Sequence, residues 1–323
     1  MSKVKYFDSN YSTTRLLTKE KPVIENKTGD KLKSVLFLPE AESRQGEGGL
    51  RTKGYFKKSY ENKPLITVVT VVFNGEKYLE KTIQSIINQD YDNVEYVIID
   101  GGSTDNTIEI IKRYENQIDY WVSEPDGGIY DAMNKGITLA TGEWINFMNT
   151  GDLFNNFKIV KLFFSGNLNN YSVLYGDTIN MYGDNKCVLD RVHPIETMYK
   201  KLPFSHQSTF VRRPLLKRYS FNTDYKICAD YDFFYRLYIE KYKFKYLDNI
   251  IAHFDMDGVS QNYYKPLKDM KKIVSIYEKD KLYYYDKKLF LKLWVKEMIK
   301  MLLPKKVVLS IRNKLAKRRL KDK

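Results

Sequence analysis

Cysteine and histidine are scarce in this sequence. Its 323 residues include only 2 Cys, at 187 and 228, and 3 His. The cysteines are too far apart in the chain for a CxxC unit, so we expect reduced thiols, as is usual in the cytoplasm. The histidines at 193, 206 and 253 show no zinc-binding spacing, alone or with the cysteines. The composition therefore argues against a disulfide framework and against a zinc site.

Long apolar runs are also missing. The first residues, MSKVKYFDSNYSTT, lack the apolar core of a signal peptide, so we expect a cytoplasmic protein. Between 289 and 302 an apolar stripe is interrupted by four charged residues, Lys292, Lys296, Glu297 and Lys300. A membrane span needs roughly 18–20 apolar residues in succession. The sequence thus predicts a protein that can lie on a bilayer but cannot cross it.

Aromatic side chains and positive charge are abundant. Aromatic residues make up 15% of the chain and include 27 Tyr, which is typical of a globular protein with a binding cleft. The net charge is +14, and residues 304–323 alone carry nine Lys and Arg against one Asp. In that tail Val308, Ile311 and Leu315 form a narrow apolar stripe among basic residues, as in helices that lie on the anionic inner face of a membrane. A solvated tail is the alternative interpretation.

Strands and helices alternate after residue 63. The run ITVVTVVF at 66–73 is typical of a strand that is buried on both faces of a parallel sheet. The pattern then predicts three more strands and the helices between them: strands at 94–100, 120–122 and 144–148, and helices ending near 88, 114 and 139. This alternation predicts an α/β fold with a Rossmann-like, doubly wound mixed sheet and helices on both faces. Ligands of such sheets bind at the carboxyl ends of the strands.

The remainder of the chain gives weaker patterns. We predict short strands at 172–177, 178–182 and 187–190, a helix at 231–241 and a strand near 245–247. Residues 263–323 are predicted to form a helical, basic C-terminal region. We therefore divide the chain into an extension (1–63), a core domain (64–262, with halves meeting at 152) and the C-terminal region (263–323).

The extension contains a glycine-rich segment, LFLPEAESRQGEGGLRTKGYFK, at 36–57. We expect it to pack on the core, because its apolar residues Leu36, Phe37, Leu38, Leu50 and Phe56 would otherwise be exposed. A free linker or a lid over a site is the alternative.

Three polar clusters follow the predicted strands. Asp100 opens DGGSTD, where a carboxylate could bind a base or ribose beside two glycines, or where the residues form only a capped turn. In SEPDGGIYDAMNKGI (123–137), a helix from Tyr130 would present Asp131, Asn134 and Lys135 on one polar face towards the cleft, although a solvated face has the same pattern. NTGD (149–152) places Asp152 where it could hold Mg²⁺ or Mn²⁺ together with a diphosphate, or cap the next helix.

These segments together resemble a known family. VVTVVFNGEKYLEKTIQSIINQ, DGGSTDNT and ATGEWINFMNTGD, in this order, are similar to family 2 glycosyltransferases of the GT-A fold, over roughly 64–260. SEPDGGIYDAMNKGI resembles the subgroup that builds bacterial O-antigen, capsule and colanic acid. The resemblance implies a nucleotide-sugar donor, a divalent cation, inversion at the anomeric carbon and a hydroxyl acceptor on an undecaprenyl-diphosphate-linked saccharide.

The resemblance also assigns roles to residues. It implies a metal ligand at Asp152 and donor contacts from seven residues: Val71, Phe73, Asp100, Gly101, Asp126, Asp131 and Asn134. The sequence departs from the family at two places. The acidic DxD cluster becomes Asn149, Gly151 and Asp152, and the second acidic residue that many members carry after the second strand is Gly101.

The acceptor side of the resemblance lies in PFSHQSTFVRR and KICADYDFFYRLY, where the family has an Asp as catalytic base. On a helix Asp230 shares a face with Phe233, Phe234 and Leu237, whereas Asp232 lies about 200° away and can pair with Arg236 at i+4. We therefore predict Asp230 as the base, with a helix N-cap as its alternative role.

Two adjacent residues and one further segment receive less definite roles. His206 and Gln207 could line the acceptor pocket or serve only the structure, and DGVS at 257–260 resembles a family loop near the acceptor.

Two other functions compete with sugar transfer. A sugar-phosphate nucleotidyltransferase shares the doubly wound half but needs a glycine-rich, basic loop after the first strand, where this chain has Asn74, Gly75 and Glu76. A nucleic-acid-binding module is favoured only by net charge, which is concentrated at the terminus without a recognisable binding motif.

Overall fold

The computed structural model describes residues 9–166, 168–182, 186–256 and 264–285, together with 295 and 298. Within these residues one mixed sheet contains ten strands. The strands are β1 Gly46–Gly48, β2 Ile66–Val72, β3 Val94–Asp100, β4 Tyr120–Ser123, β5 Trp144–Phe147, β6 Leu153–Phe154, β7 Val173–Tyr182, β8 Lys186–Asp190, β9 Thr209–Arg212 and β10 Phe244–Asp255. The helices are α1 Leu79–Ile87, α2 Thr107–Arg113, α3 Ile129–Leu139, α4 Ile159–Phe163, α5 Arg213–Tyr219, α6 Ala229–Ile239 and α7 Tyr264–Tyr277.

The strand order is β1-β4-β3-β2-β5-β9-β7-β10-β6, with β8 paired to β7. Strands β4, β3, β2 and β5 are parallel, which confirms the doubly wound half that the sequence predicts. Strand β9 then joins β5 and β7 in antiparallel fashion. The polar clusters that follow β2 to β5 consequently meet at one edge of the sheet, which we call the carboxyl edge.

Both faces of the sheet are buried, which explains the near-continuous apolar runs of β2 and β3. Because side chains alternate along a strand, Val69 and Val97 face the layer that contains α3 and α6, whereas Val68 and Ile98 face the layer of α1 and α2. Helix α3 approaches β2 so closely that a Cβ on Gly136 would lie 2.4 Å from Val69. The central strands are therefore fixed against helices on both sides.

The glycine-rich segment of the extension packs on the core, as predicted. Leu50 and Phe56 are buried, and β1 adds an outer strand to the sheet by pairing with β4. A Cβ on Gly48 would lie 2.7 Å from the indole nitrogen of Trp121, so a larger residue would push β1 off β4. The extension thus belongs physically to the sheet, although its composition separates it from the core domain.

Two strand predictions in the second half are wrong. The predicted breaks at 177–178 and after 247 do not exist, since β7 runs unbroken from Val173 to Tyr182 and β10 extends to Asp255. The reason is that β7 and β10 pair with each other in parallel over most of their length, with register shifts near Ile250. Pairing between strands that are distant in the chain places polar residues in strands, although local sequence patterns assign those residues to turns.

The C-terminal region is described only in part. Helix α7 packs on α6, and a 3-10 helix follows at Lys279–Tyr285. The predicted helical continuation, the basic tail and the DGVS loop lie outside the described residues. None of the helices in the described ranges has the length and apolar character needed to cross a bilayer. Cys187 is exposed and Cys228 is buried, and both are free thiols.

Candidate active site

Asp100 lies at the end of β3 beneath the carboxyl edge. It is fully buried, and its carboxylate accepts hydrogen bonds from Ser103 N at 3.0 Å, from the Ser103 hydroxyl and from Ser123 Oγ at 2.5 Å. The carboxylate thus ties the end of β3 to the end of β4. The structure places Asp100 under the predicted donor site rather than on its surface.

Hydrogen bonds connect the loop after β2 to the loop after β3. Asn74 adopts a left-handed conformation, with φ 52°, its backbone N donates to Ser103 Oγ and its side-chain oxygen accepts from Thr104 N. Two residues next to this loop, Val71 and Phe73, are predicted to contact the donor, and they lie in different environments. Val71 is buried at the end of β2, whereas the Phe73 ring is 66% exposed and available for stacking.

Asp126 explains why glycine stands at 101. A Cβ on Gly101 would lie 2.6 Å from Asp126 Oδ2, so any side chain there would collide with that carboxylate. Asp126 therefore brings an acidic group from the β4–α3 loop to the place where many family members carry a second acidic residue after this strand. Burial raises the pKa of Asp126.

The predicted polar face of α3 does not act as one surface. Asp131 accepts a hydrogen bond from Gly127 N at 2.9 Å, and Asn134 makes two 2.9 Å bonds with the backbone of Phe221. Lys135 pairs with Glu124 at 2.8 Å. The expectation that all three are directed at one cleft is therefore wrong, because each side chain is used by a different neighbouring segment.

Asp152 lies at the end of the NTGD loop, 3% exposed. Its Oδ1 accepts from Asp255 N at 3.1 Å, and no Lys or Arg of the described ranges lies within ion-pair distance. Burial raises the pKa of Asp152 to about 7, although a hydrogen bond from the Gln207 side chain favours the charged carboxylate. Nearby, Asn149 Oδ1 is buried without a hydrogen-bond partner in this part of the structure.

These two residues fit a divalent cation in part. A buried carboxylate without a cation and a buried amide oxygen without a donor are both oxygen ligands of the kind that Mg²⁺ prefers. Among the described residues, however, no group of three or more His, Cys, Asp or Glu side chains could hold a metal alone. A diphosphate and water would have to supply the remaining oxygens.

His206 connects this loop to Asp230, which sequence reasoning left open. Its Nε2 lies 3.2 Å from Asn149 Nδ2, and its Nδ1 lies 3.4 Å from Asp230 Oδ2. Because the Asn149 amide nitrogen can only donate, Nε2 accepts and Nδ1 carries the proton towards Asp230. The other oxygen, Asp230 Oδ1, accepts from Tyr231 N at 2.9 Å and lies 2.9 Å from Tyr130 Oη, whose one proton is shared with Ile227 O at 2.6 Å.

Asp230 is held in the first turn of α6 and is partly exposed. The helix N-cap is Cys228, so the alternative that Asp230 caps the helix is wrong. Burial raises the pKa of Tyr130 well above its ordinary value, and the charge of Asp230 adds to this, so the phenol stays protonated and donates.

Asp232 lies on the other side of α6, as predicted. Its predicted pair with Arg236 is nevertheless wrong, because Arg236 pairs with Glu240 and Asp232 accepts from Tyr277 Oη at 3.1 Å. Tyr277 belongs to α7, which the helical periodicity of α6 alone could not reveal.

Comparison with known proteins agrees with this architecture. Residues 67–178 match the family model described as glycosyl transferase family 2. The chain is 32% identical over 190 residues to an uncharacterized glycosyltransferase of Mycobacterium tuberculosis, covering 54% of this chain and 68% of that protein. It is 31% identical over 180 residues to a PGL/p-HBAD biosynthesis glycosyltransferase of Mycobacterium bovis, with shares of 53% and 68%.

Solved structures share the fold. S. aureus TarS 1–349, in complex with UDP-GlcNAc, gives a TM-score of 0.52 at 18% identity over 66% of this chain and 67% of that chain. A mannosyltransferase from Pyrobaculum calidifontis, in complex with GDP-Man and Mn²⁺, gives 0.51 at 18% identity, with shares of 66% and 64%. The molecule is thus a GT-A glycosyltransferase. It belongs to glycosyl transferase family 2.

Proposed function

We propose that this enzyme transfers a sugar, with inversion, from a nucleotide-sugar donor to a hydroxyl group of a saccharide. The observation that carries the proposal is the connected series Asn149, His206, Asp230 and Tyr130 beside the buried carboxylate of Asp152. The series joins the loop that we assign to the diphosphate with the carboxylate that we assign to the acceptor. A single displacement needs the diphosphate and the catalytic carboxylate to lie next to the same anomeric carbon.

Asp230 acts as the base in this proposal. Its carboxylate takes the proton of the acceptor hydroxyl while that oxygen forms a bond to the anomeric carbon. The bond between the anomeric carbon and the phosphate oxygen breaks, and the nucleoside diphosphate leaves with the electron pair. Tyr130 and His206 contact the two carboxylate oxygens and so fix the orientation of the base.

The donor lies along the carboxyl edge in this proposal, near Phe73, Gly101 and Asp126. Val71 and Asp100 support the site from below, while Asp131 and Asn134 hold the loops that surround it. Asp152 and the amide oxygen of Asn149 would hold a divalent cation. When bound, such a cation neutralises the charge of the departing diphosphate.

The proposal is tested by release of nucleoside diphosphate from a panel of UDP-, GDP-, dTDP- and CDP-sugars with Mg²⁺ or Mn²⁺. We expect one nucleotide to be accepted, and the same nucleotide to raise the melting temperature, since ligand at about 100 times its Kd adds roughly 2.7 kcal/mol of stability. NMR of the product should show an inverted anomeric centre. Retention of configuration would contradict the role of Asp230, and a lack of binding to every nucleotide would contradict the function.

We also propose that the acceptor is a saccharide linked to undecaprenyl diphosphate, used in O-antigen or capsule synthesis at the inner face of the membrane. The support comes from the segment 123–137, which resembles that subgroup, and from the nine basic residues in 304–323. Basic residues near an anionic surface contribute about 1 kcal/mol each to binding. Sedimentation with anionic liposomes should be lost when the chain is truncated after Leu303, and equal sedimentation of both forms would contradict the membrane role.

A further inference from the structure

The N-terminal extension reaches the carboxyl edge of the sheet. Strand β1 runs antiparallel to β4 with Gly46 opposite Ser123, the last residue of β4. Gln45 therefore lies just beyond the end of β4, where its backbone N donates to Ser123 O at 2.8 Å. This position is beside the loops that we assign to the donor nucleotide.

Arg44 anchors the segment there. Its side chain is only 12% exposed, and its guanidinium binds Glu124 Oε2 through Nε at 3.1 Å and Nη2 at 2.9 Å. The other oxygen of Glu124 accepts from Lys135 of α3. The charges of this network satisfy each other, so Arg44 and Glu124 hold the extension in place and are not free to bind a ligand.

Gln45, in contrast, presents its side chain to solvent at the site. Its Nε2 lies 3.5 Å from the position that a Cβ would take on Gly102, and its Oε1 lies 3.5 Å from Ser123 Oγ. The Ser123 hydroxyl is already committed to Asp100 at 2.5 Å. Within the described part of the chain, no residue accepts a hydrogen bond from the Gln45 amide nitrogen, which faces solvent.

A free carboxamide at this place has a specific chemical use. It offers two N–H donors and a carbonyl acceptor side by side, and the edges of nucleobases carry donors and acceptors in the same arrangement. The neighbouring carboxylate of Asp100 cannot do this directly, because it is buried and accepts three hydrogen bonds from serine residues. Gly102 has φ 82°, and a Cβ there would lie 3.3 Å from Pro125 N and 3.5 Å from Gln45 Nε2, so a side chain at 102 would crowd the Gln45 carboxamide.

We propose that Gln45 hydrogen-bonds the base of the donor nucleotide and helps to select which nucleotide is accepted. The inference rests on the proposed function, since it assigns the base end of the same donor site. It makes the extension a working part of the donor site, although the residues that resemble the family begin near 64.

The test compares Kd values of UDP, GDP, CDP and ADP by calorimetry with Mn²⁺, for the wild type, Gln45→Ala and the control Glu42→Ala. Glu42 lies in the same exposed segment and has no part in the proposed site. Loss of one or two neutral hydrogen bonds weakens binding by about 5- to 100-fold. We expect Gln45→Ala to lose this much affinity for the preferred nucleotide and less for the others. The ratio of Kd values between the other nucleotides and the preferred one should therefore become smaller.

Inorganic pyrophosphate with Mn²⁺ separates a base contact from a structural effect. Its affinity should be equal in the wild type and Gln45→Ala, and kcat at saturating donor should change less than about twofold because the reacting atoms are remote from the base. An unchanged nucleotide preference in Gln45→Ala, or equal losses for pyrophosphate and nucleotide, would overturn the inference. If the wild type bound no nucleotide at all, the proposed function itself would fail.

Discussion

Glu95, near the amino ends of the parallel strands (the amino edge), and Asp152 and Asp126, at the carboxyl edge, are used in opposite ways. At the amino edge Glu95 is buried against Arg51 at 2.6 Å and also accepts hydrogen bonds from Thr67 and Thr141. At the carboxyl edge Asp152 and Asp126 have no Lys or Arg of the described ranges within ion-pair distance. Asp126 accepts from Gly128 N, and Asp152 accepts from Asp255 N and from the Gln207 side chain, while burial raises the pKa of both carboxyl groups.

This difference distinguishes carboxylates that hold the fold together from carboxylates that can bind a ligand. A buried carboxylate with its own cation is neutralised and holds two segments together, as Arg51 of the extension holds β3 through Glu95. A buried carboxylate without one is costly unless it acquires a proton or a cation. A buried carboxylate without its own cation, such as Asp152, is therefore one that a metal ion can stabilise, and the four experiments below test the difference between paired and unpaired carboxylates.

The largest effect should come from the base. Asp230→Asn keeps the size of the side chain but cannot take a proton, so we expect kcat to fall by about 10²–10⁴-fold. Donor Kd should change little. The control is Asp232→Asn on the opposite side of the same helix, measured by the same steady-state assay. A comparable loss in both variants would mean that helix α6 is damaged rather than that a base is removed.

At the amino edge the expected effect is on stability. Arg51→Met leaves the buried charge of Glu95 without its cation and should lower the free energy of unfolding by about 3–5 kcal/mol. Urea denaturation measures this loss. Adding Glu95→Gln to the same chain removes the carboxylate charge that has lost its cation, and it should restore part of the stability. No recovery in the double variant would contradict the view that this pair is mainly electrostatic.

Asp152→Asn tests the unpaired carboxylate as a cation ligand. Without its charge, stabilisation of the departing diphosphate should weaken and kcat/KM should fall by about 10²-fold. The residual rate should no longer depend on Mn²⁺ concentration. A titration with Mn²⁺ in both proteins measures this, and an unchanged Mn²⁺ dependence in the variant would exclude Asp152 as a ligand.

The smallest effect concerns Glu124, which follows β4 at the carboxyl edge and, unlike Asp152 and Asp126, is paired with Arg44 and Lys135. Burial alone would raise its pKa, but Lys135 and Arg44 hold the pKa below the ordinary value. Its stabilising contribution is therefore present above the unfolded pKa of about 4.3 and is lost as pH falls through the lowered folded value. We expect Glu124→Gln to cost about 1–2 kcal/mol at neutral pH and progressively less on acidification.

Thermal unfolding of the wild type and Glu124→Gln from neutral to acidic pH measures this difference. A gap that grows as the pH falls would contradict the sign. Glu42→Gln, which changes an exposed charge of the extension near Arg44, should show no such dependence on pH.

Sequence patterns predict the parallel half of the fold well. Strand β3 has the predicted bounds, and β2 differs by one residue, because β-branched runs buried on both faces leave a strong local signal. Strand β10 has no such signal, since its first half is partly exposed and contains charged residues such as Lys245 and Asp248. Its length follows from pairing with β7, which local composition does not encode.

The site shows the same limit. Motifs single out Asp152 and Asp230, but the contact that joins the NTGD loop to Asp230 runs from Asn149 through His206, 57 positions away in the chain. The two come together because β9, which follows His206, pairs with β5. The position of Gln45 is equally nonlocal, since it depends on β1 reaching Ser123 across the outside of the sheet.

Strand β1 also determines how the sheet meets solvent. An unpaired strand edge offers a row of amide and carbonyl groups to which another chain can attach, and proteins limit this hazard with short or charged outer strands. Here the outer strand is three residues long, and its central residue is Glu47. A protein trimmed to start at residue 64 would instead end its sheet on β4, with the aromatic pair Tyr120 and Trp121 at an open edge prone to self-association.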